Sequence, residues 1–260
     1  MNKVSSRLSE LFESNQDRKL LSIYCTAGYP HRDALPGILA TLQEEGVDFV
    51  ELGMPYSDPL ADGPTIQECG AQAIENGMTM SLLFEQVEEA RKIVSMPFVW
   101  MGYLNAVLQF GMDRFLESCE RCGIDAVIIP DLPPEVYAAE YQERFEAHGV
   151  GVVFLITPRT SEARIRLMDG LSSGFIYLVS SPSLTGRNSG VSDATAEYLK
   201  RIHGMNLRNP KMVGFGIHDR DSFSKAVEFA EGAIIGSAFL NSLENDACQD
   251  SVRTFVQKII

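Results

Sequence analysis

Long apolar runs are missing from this 260-residue chain. None reaches the roughly 20 residues that a membrane helix needs. The opening MNKVSSRLSELFESNQDRK is polar and lacks the apolar stretch of a secretory signal. Cysteine is sparse and odd in number (Cys25, Cys69, Cys119, Cys122 and Cys248), which excludes a secreted disulfide framework. A cytoplasmic protein is expected. Cys119 and Cys122 have C-x-x-C spacing but no second pair, and they fall in a helical pattern. We read them as a helix face rather than a metal or redox site. The four histidines (His31, His148, His203, His218) are scattered and make no ligand spacing. Basic residues are in deficit, 22 against 35 acidic ones, a net charge of 22 − 35 = −13. No basic stripe remains to neutralise a nucleic-acid backbone. A small phosphorylated ligand needs only a few local donors and is compatible with this balance.

What the chain does have is apolar residues in the proportion of an ordinary globular protein, 45%, enough for a large core without disulfides or metals. They are grouped in eight short continuous runs: 20–26, 49–54, 98–103, 126–131, 152–157, 175–180, 211–217 and 232–238. Continuous rather than alternating runs predict parallel strands buried on both faces. Between them, amphipathic stretches predict helices over 35–45, 82–94, 112–121, 136–148, 162–171, 194–202 and 222–230. Gly46, Gly123 and Gly149 stand where a left-handed residue would close a helix before the next strand. A leading helix is expected near 4–14 and a final one over 241–260. The β-α rhythm, repeated eight times, predicts an α/β fold: one (β/α)₈ TIM-barrel domain over 1–260 with an extra N-terminal helix. The alternative is an open doubly wound sheet, which more often has about five or six strands.

Barrel active sites lie at the C-terminal ends of the strands. There, Glu51 interrupts an apolar run. An inward carboxyl would be desolvated and suited to proton transfer; a carboxylate held by a structural partner is the competing reading. The loop that follows, Tyr56 to Thr65, is stiffened by Pro59 and Pro64 and carries Asp58 and Asp62. Either aspartate could serve a site, an interface, a turn or a helix cap. The last two runs end in Gly214-Phe215-Gly216 and Gly236-Ser237. Glycines there allow backbone amides to approach a phosphate, or simply allow tight packing. Gly186, after the sixth run, could add a third segment.

The run Glu51-Leu-Gly-Met-Pro-Tyr-Ser-Asp-Pro-Leu-Ala-Asp-Gly-Pro-Thr-Ile-Gln67 resembles the signature of the tryptophan synthase alpha subunit family. Tyr24-Cys-Thr-Ala-Gly28, Met101-Gly-Tyr-Leu-Asn105, Ile129-Pro-Asp-Leu-Pro-Pro134, Val213-Gly-Phe-Gly-Ile217 and Ile235-Gly-Ser-Ala238 follow in family order. The resemblance implies reversible aldol cleavage of indole-3-glycerol phosphate to indole and glyceraldehyde 3-phosphate, a carbon–carbon lyase step in tryptophan biosynthesis, with no metal or organic cofactor. It implies Glu51 as proton shuttle and Asp62 as holder of the indole N–H. Tyr24 and Tyr177 would line the indole pocket. Thr185, Gly186, Gly214, Phe215, Gly216, Gly236 and Ser237 would surround the substrate, with the phosphate on amides near the glycines and Ser237. It implies a partner, the pyridoxal-phosphate beta subunit, in an allosteric α₂β₂ heterotetramer, with Asp58 and Pro59 on the shared surface.

The chain departs from the family pattern in the loop after the sixth run. Ser181 replaces an arginine and Ser183 a glycine, beside Pro182, while Thr185 and Gly186 remain. Fewer flexible positions and one cation less should alter loop closure. Gly28-Tyr29-Pro30 stands where Gly-Asp-Pro is usual. Two functions therefore compete: an active lyase subunit, and a weakened one acting mainly as allosteric activator of the beta subunit. A different phosphate-binding barrel is a third reading, opposed by the Glu51–Gln67 signature.

Overall fold

The structure is a computed structural model that describes residues 7–179, 193–243 and 248–260, the side chains of 193 and 194 excepted. Thr185, Gly186, Ser181, Pro182 and Ser183 lie outside the described residues. Among the described residues nine parallel strands form one sheet: β1 (Leu20–Thr26), β2 (Phe49–Gly53), β3 (Phe98–Met101), β4 (Ala126–Ile128), β5 (Gly151–Val152), β6 (Leu155–Ile156), β7 (Ile176–Leu178), β8 (Lys211–Val213) and β9 (Gly232–Ile235). The spatial order is β5-β4-β3-β2-β1-β9-β8-β7-β6. Its two ends, β5 and β6, are successive pieces of one expected run. Val153 N–H donates to Val127 O at 2.9 Å on one side, and Phe154 O accepts from Tyr177 N–H at 3.1 Å on the other. One segment thus joins both edges and the sheet closes. The eight-run expectation holds in this form, and the open doubly wound alternative, which needs free edges, does not.

All seven residues of β1 and all five of β2 are buried. This is the two-sided burial expected of parallel strands under a helix layer. Gly46, Gly123 and Gly149 have φ of +85°, +65° and +67°, so each helix closes as its glycine predicts.

Three helices differ from expectation. Pro64–Glu75 and Leu104–Phe110 are helical where no helix was expected. The first begins at a proline, which the first helical turn accepts because its N–H has no partner there anyway. In the second, Leu104 N–H donates to Asp131 Oδ1 at 2.9 Å, a cap supplied from the next βα unit. The expected final helix is instead a short helix Ser237–Leu240 and a separate one, Cys248–Ile259.

The N-terminal helix Arg7–Ser14 seats Phe12 against Phe49 and Phe175, with ring centroids 6.2 and 6.0 Å away. These aromatic rings fill the N-terminal end of the barrel, which leaves the C-terminal end for a cavity. Cys119 and Cys122 are buried free thiols on the helix Met112–Cys122. Among the described residues no cluster of three His, Cys, Asp or Glu could hold a metal, and no helix is long and apolar enough to cross a membrane.

Candidate active site

A cavity of about 540 Å³ opens at the C-terminal end of the strands. Tyr24, Glu51, Asp62, Tyr177, Gly214, Phe215, Gly216, Gly236 and Ser237 all line it. Five separate βα units supply them. Asp58 and Pro59 do not line it; they sit on the outer side of the same loop, beside Leu60, which is 94% exposed.

Glu51 is the middle residue of β2, in register with Tyr24 of β1 and Val99 of β3. It is fully buried, and neither carboxyl oxygen has a hydrogen-bond partner among the described residues. The structural-partner reading of Glu51 therefore loses its partner. A buried ionised carboxylate without compensation is strongly disfavoured. Burial, and secondarily the charge of Asp62, pushes its pKa up to about 8. At neutral pH the group is mostly a neutral acid, able to donate a proton.

Asp62 is half-buried on the loop between β2 and the helix Pro64–Glu75. That helix is capped by Gly63 with no side-chain bond, so Asp62 is not spent as a cap. Its position is set by the loop backbone and by Tyr103. Asp62 N–H donates to Pro59 O at 3.1 Å, and Gln67 Nε2 donates to Asp62 O at 2.9 Å. Tyr103 Oη donates to Asp62 Oδ2 at 3.1 Å and accepts from Ala61 N–H at 2.9 Å. The Tyr56 ring stacks on Tyr103 with centroids 5.0 Å apart, and Asn105 Nδ2 donates to the Tyr56 hydroxyl at 2.9 Å. Burial raises the Asp62 pKa, and the Tyr103 hydrogen bond opposes that rise. Two carboxyls thus face one cavity in different surroundings: Glu51 dry and unpaired, Asp62 partly wet and hydrogen-bonded.

The glycines have distinct reasons. A Cβ on Gly214 would lie 2.2 Å from the Tyr177 ring, and one on Gly53 would lie 2.0 Å from Tyr24 Oη. At both places glycine makes room for a tyrosine. Gly214 N–H is also spent on Leu178 O at 3.1 Å, so Gly214 lines the cavity without offering a free amide of its own. Gly216 has φ of +66°, a left-handed backbone. The nearest atoms to a Cβ on Gly236 would be Tyr24 Cβ, Ile66 Cδ1 and Tyr24 Cδ1, at 3.5, 3.7 and 3.7 Å, ordinary contacts. Packing therefore does not demand glycine at 236. Ser237 and Ala238 open a helix whose first N–H groups have no partner within it. Burial keeps Tyr24 and Tyr177 as neutral phenols, their pKa values well above the ordinary value.

Sequence reasoning missed Ile66, Met101, Leu155, Ile234, Tyr103 and His218. The cavity is lined by all of these except Tyr103, which acts through Asp62. Met101, Leu155 and Ile234 stand at strand ends and could have been found by taking the inward parity from Glu51. For Tyr103 no local signal exists, because its partner is 41 residues away in sequence.

The tryptophan synthase alpha chain family profile matches residues 12–259. The tryptophan synthase alpha chain of Flavobacterium psychrophilum is 50% identical over 259 residues, all of both chains; that of Christiangramia forsetii is 49% identical over all of this chain and 98% of its own. Among solved structures, an aminoacrylate-bound tryptophan synthase from M. tuberculosis superimposes with a TM-score of 0.85, at 30% identity and 98% coverage of both chains. The tryptophan synthase subunit alpha of Legionella pneumophila gives 0.87 at 28% identity, over 98% of this chain and 97% of that one. The neighbours share the TIM-barrel architecture, and the chain belongs to the tryptophan synthase alpha chain family, an enzyme subunit of tryptophan biosynthesis.

Proposed function

We propose that the chain catalyses the reversible cleavage of indole-3-glycerol phosphate to indole and glyceraldehyde 3-phosphate. The observation that carries this reading is the pair Glu51 and Asp62 on one cavity, the first favouring the neutral form and the second anchored by Tyr103. Indole leaves poorly as a carbanion, so its C3 must be protonated before the carbon–carbon bond breaks. Asp62, as carboxylate, accepts the indole N–H and stabilises the positive charge that grows on the ring. Glu51, as neutral acid, protonates C3. The Glu51 carboxylate so formed then takes the proton of the adjacent glycerol hydroxyl. The C3–carbon bond breaks, its electrons return to the ring, and the aldehyde forms. Glu51 gives one proton and regains one, so the chemistry closes without a metal or organic cofactor.

Tyr24 and Tyr177 belong to the indole end. The amides at Gly216, Gly236 and Ser237 belong to the phosphate end. Thr185 and Gly186 are proposed to complete the wall. The partner is the pyridoxal-phosphate beta subunit in an α₂β₂ assembly, met through Asp58, Pro59 and the exposed Leu60, in the cytoplasm. The activator-only reading rested on Ser181, Pro182 and Ser183, and the intact carboxyl pair favours cleavage over it. The test is indole release from indole-3-glycerol phosphate, with and without the beta subunit. Glu51→Gln should lower the rate about 10²–10⁴-fold; a variant as fast as wild type would overturn the reading.

A further inference from the structure

The cavity described above is acidic, yet its glycine-lined end is assigned to a phosphate. Among the described residues that line it, His218 is the one that can carry positive charge, against Glu51 and Asp62. It stands two residues after Gly216 and just before the helix Arg220–Ala226. Asp219 caps that helix: its Oδ1 accepts from Ser222 N–H at 2.8 Å and from Ser222 Oγ at 2.6 Å. The Asp219 carboxyl is therefore an anion beside the phosphate end of the cavity, and bonding to Ser222 keeps it below the usual carboxylate range. His218 stands next to it. Its Nδ1 is 3.2 Å from Gly216 O, and its Nε2 is 3.5 Å from Asp219 Oδ2. Both neighbours only accept hydrogen bonds, so a ring nitrogen that carries a proton faces an acceptor. The Nε2 contact is at the far limit of a hydrogen bond, which leaves that N–H free to turn to a better acceptor. A phosphoryl oxygen is one.

We propose that His218 is a binding residue for the phosphoryl group, donating Nε2–H to the anion held by the amides of Gly216, Gly236 and Ser237. This deepens the cleavage reading and rests on it. Charge-assisted donors to phosphate are the stronger class of hydrogen bond. His218→Ala should therefore raise KM for indole-3-glycerol phosphate about tenfold with kcat within about twofold of wild type, and His218→Lys should restore most of that affinity. Condensation of indole with unphosphorylated glyceraldehyde, the reverse reaction without the phosphate, should be the same in wild type and His218→Ala. Calorimetric titration with glyceraldehyde 3-phosphate should show the same weakening without any catalysis. A wild type that cleaves no substrate would defeat the cleavage reading while the titration still judges His218. Equal glyceraldehyde 3-phosphate affinity in wild type and His218→Ala, or an equal loss with unphosphorylated glyceraldehyde, would overturn the proposal.

Discussion

At the residue scale, the dry carboxyl of Glu51 links stability to chemistry. Its pKa rises from an unfolded value of 4.5 to about 8 on folding. The folded state therefore holds a proton that the unfolded chain has released between those pH values, and stability falls as pH rises through that window. Glu51→Gln removes the ionisable group. The variant should match wild type near pH 5 and exceed it by on the order of 2–4 kcal/mol at pH 9, while losing activity. Chemical denaturation at the two pH values measures this, and equal stabilities at pH 9 would contradict it. The same group should give an alkaline limb to kcat/KM near pH 8. In the proposed mechanism Asp62 acts as the carboxylate and should set the acid limb. Tyr103 opposes the rise of its pKa, so Tyr103→Phe should move the acid limb to higher pH and lower kcat/KM about 10–150-fold, as expected for loss of a hydrogen bond to a charged group. A pH–rate profile with an unmoved acid limb would show that Tyr103 is only a packing residue. The presence of a carboxyl at 51 was legible from sequence, because it broke an apolar run. Its lack of a partner was not, since that depends on every strand around it.

At the element scale, the closed sheet is pinned at its N-terminal end by Asp125, which precedes β4. This buried carboxylate accepts from Phe98 N–H at 3.0 Å and pairs with Arg7 and Arg91 at 3.3 and 3.6 Å. Arg91 also donates to the carbonyls of Cys122, Val94, Met96 and Gly123. One cluster thus ties the N-terminal helix, two βα units and the start of β3. Asp125→Ala would remove the counter-charge of Arg91 and leave the Phe98 amide without its acceptor, at a cost of about 2–4 kcal/mol. The expected outcome is a lower denaturation midpoint with kcat unchanged at temperatures where the variant is folded. An unchanged midpoint would show that the cluster contributes little. Element type was readable wherever apolar periodicity was strong, and β1 follows its run from Leu20 to Thr26 without change. It was not readable for Leu104–Phe110, whose N-terminal cap is Asp131 from a different unit.

At the scale of the whole molecule, Leu60 presents an almost fully exposed apolar side chain on a protein of net charge −13. It is carried on the loop that holds Asp62, so a partner seated there would press on the chemistry through Tyr103 and Tyr56. Leu60→Asp should leave the cleavage rate of the isolated chain within about twofold and reduce stimulation by the beta subunit, with binding weakened by ~1–3 kcal/mol. Full stimulation at ordinary beta-subunit concentrations would sink that assignment. The chain by itself determined the eightfold strand–helix rhythm, the glycine closures and the chemical identity of the two carboxyls, because these are encoded by period, backbone freedom and residue type over a few positions. Only the tertiary structure decided that residues 151–156 bond to both edges and shut the barrel, that Gly214 serves a tyrosine ring, and that Glu51 and Asp62 have separate proton affinities. Proton affinity is a property of burial and of neighbours drawn from distant parts of the chain, and no local pattern records it.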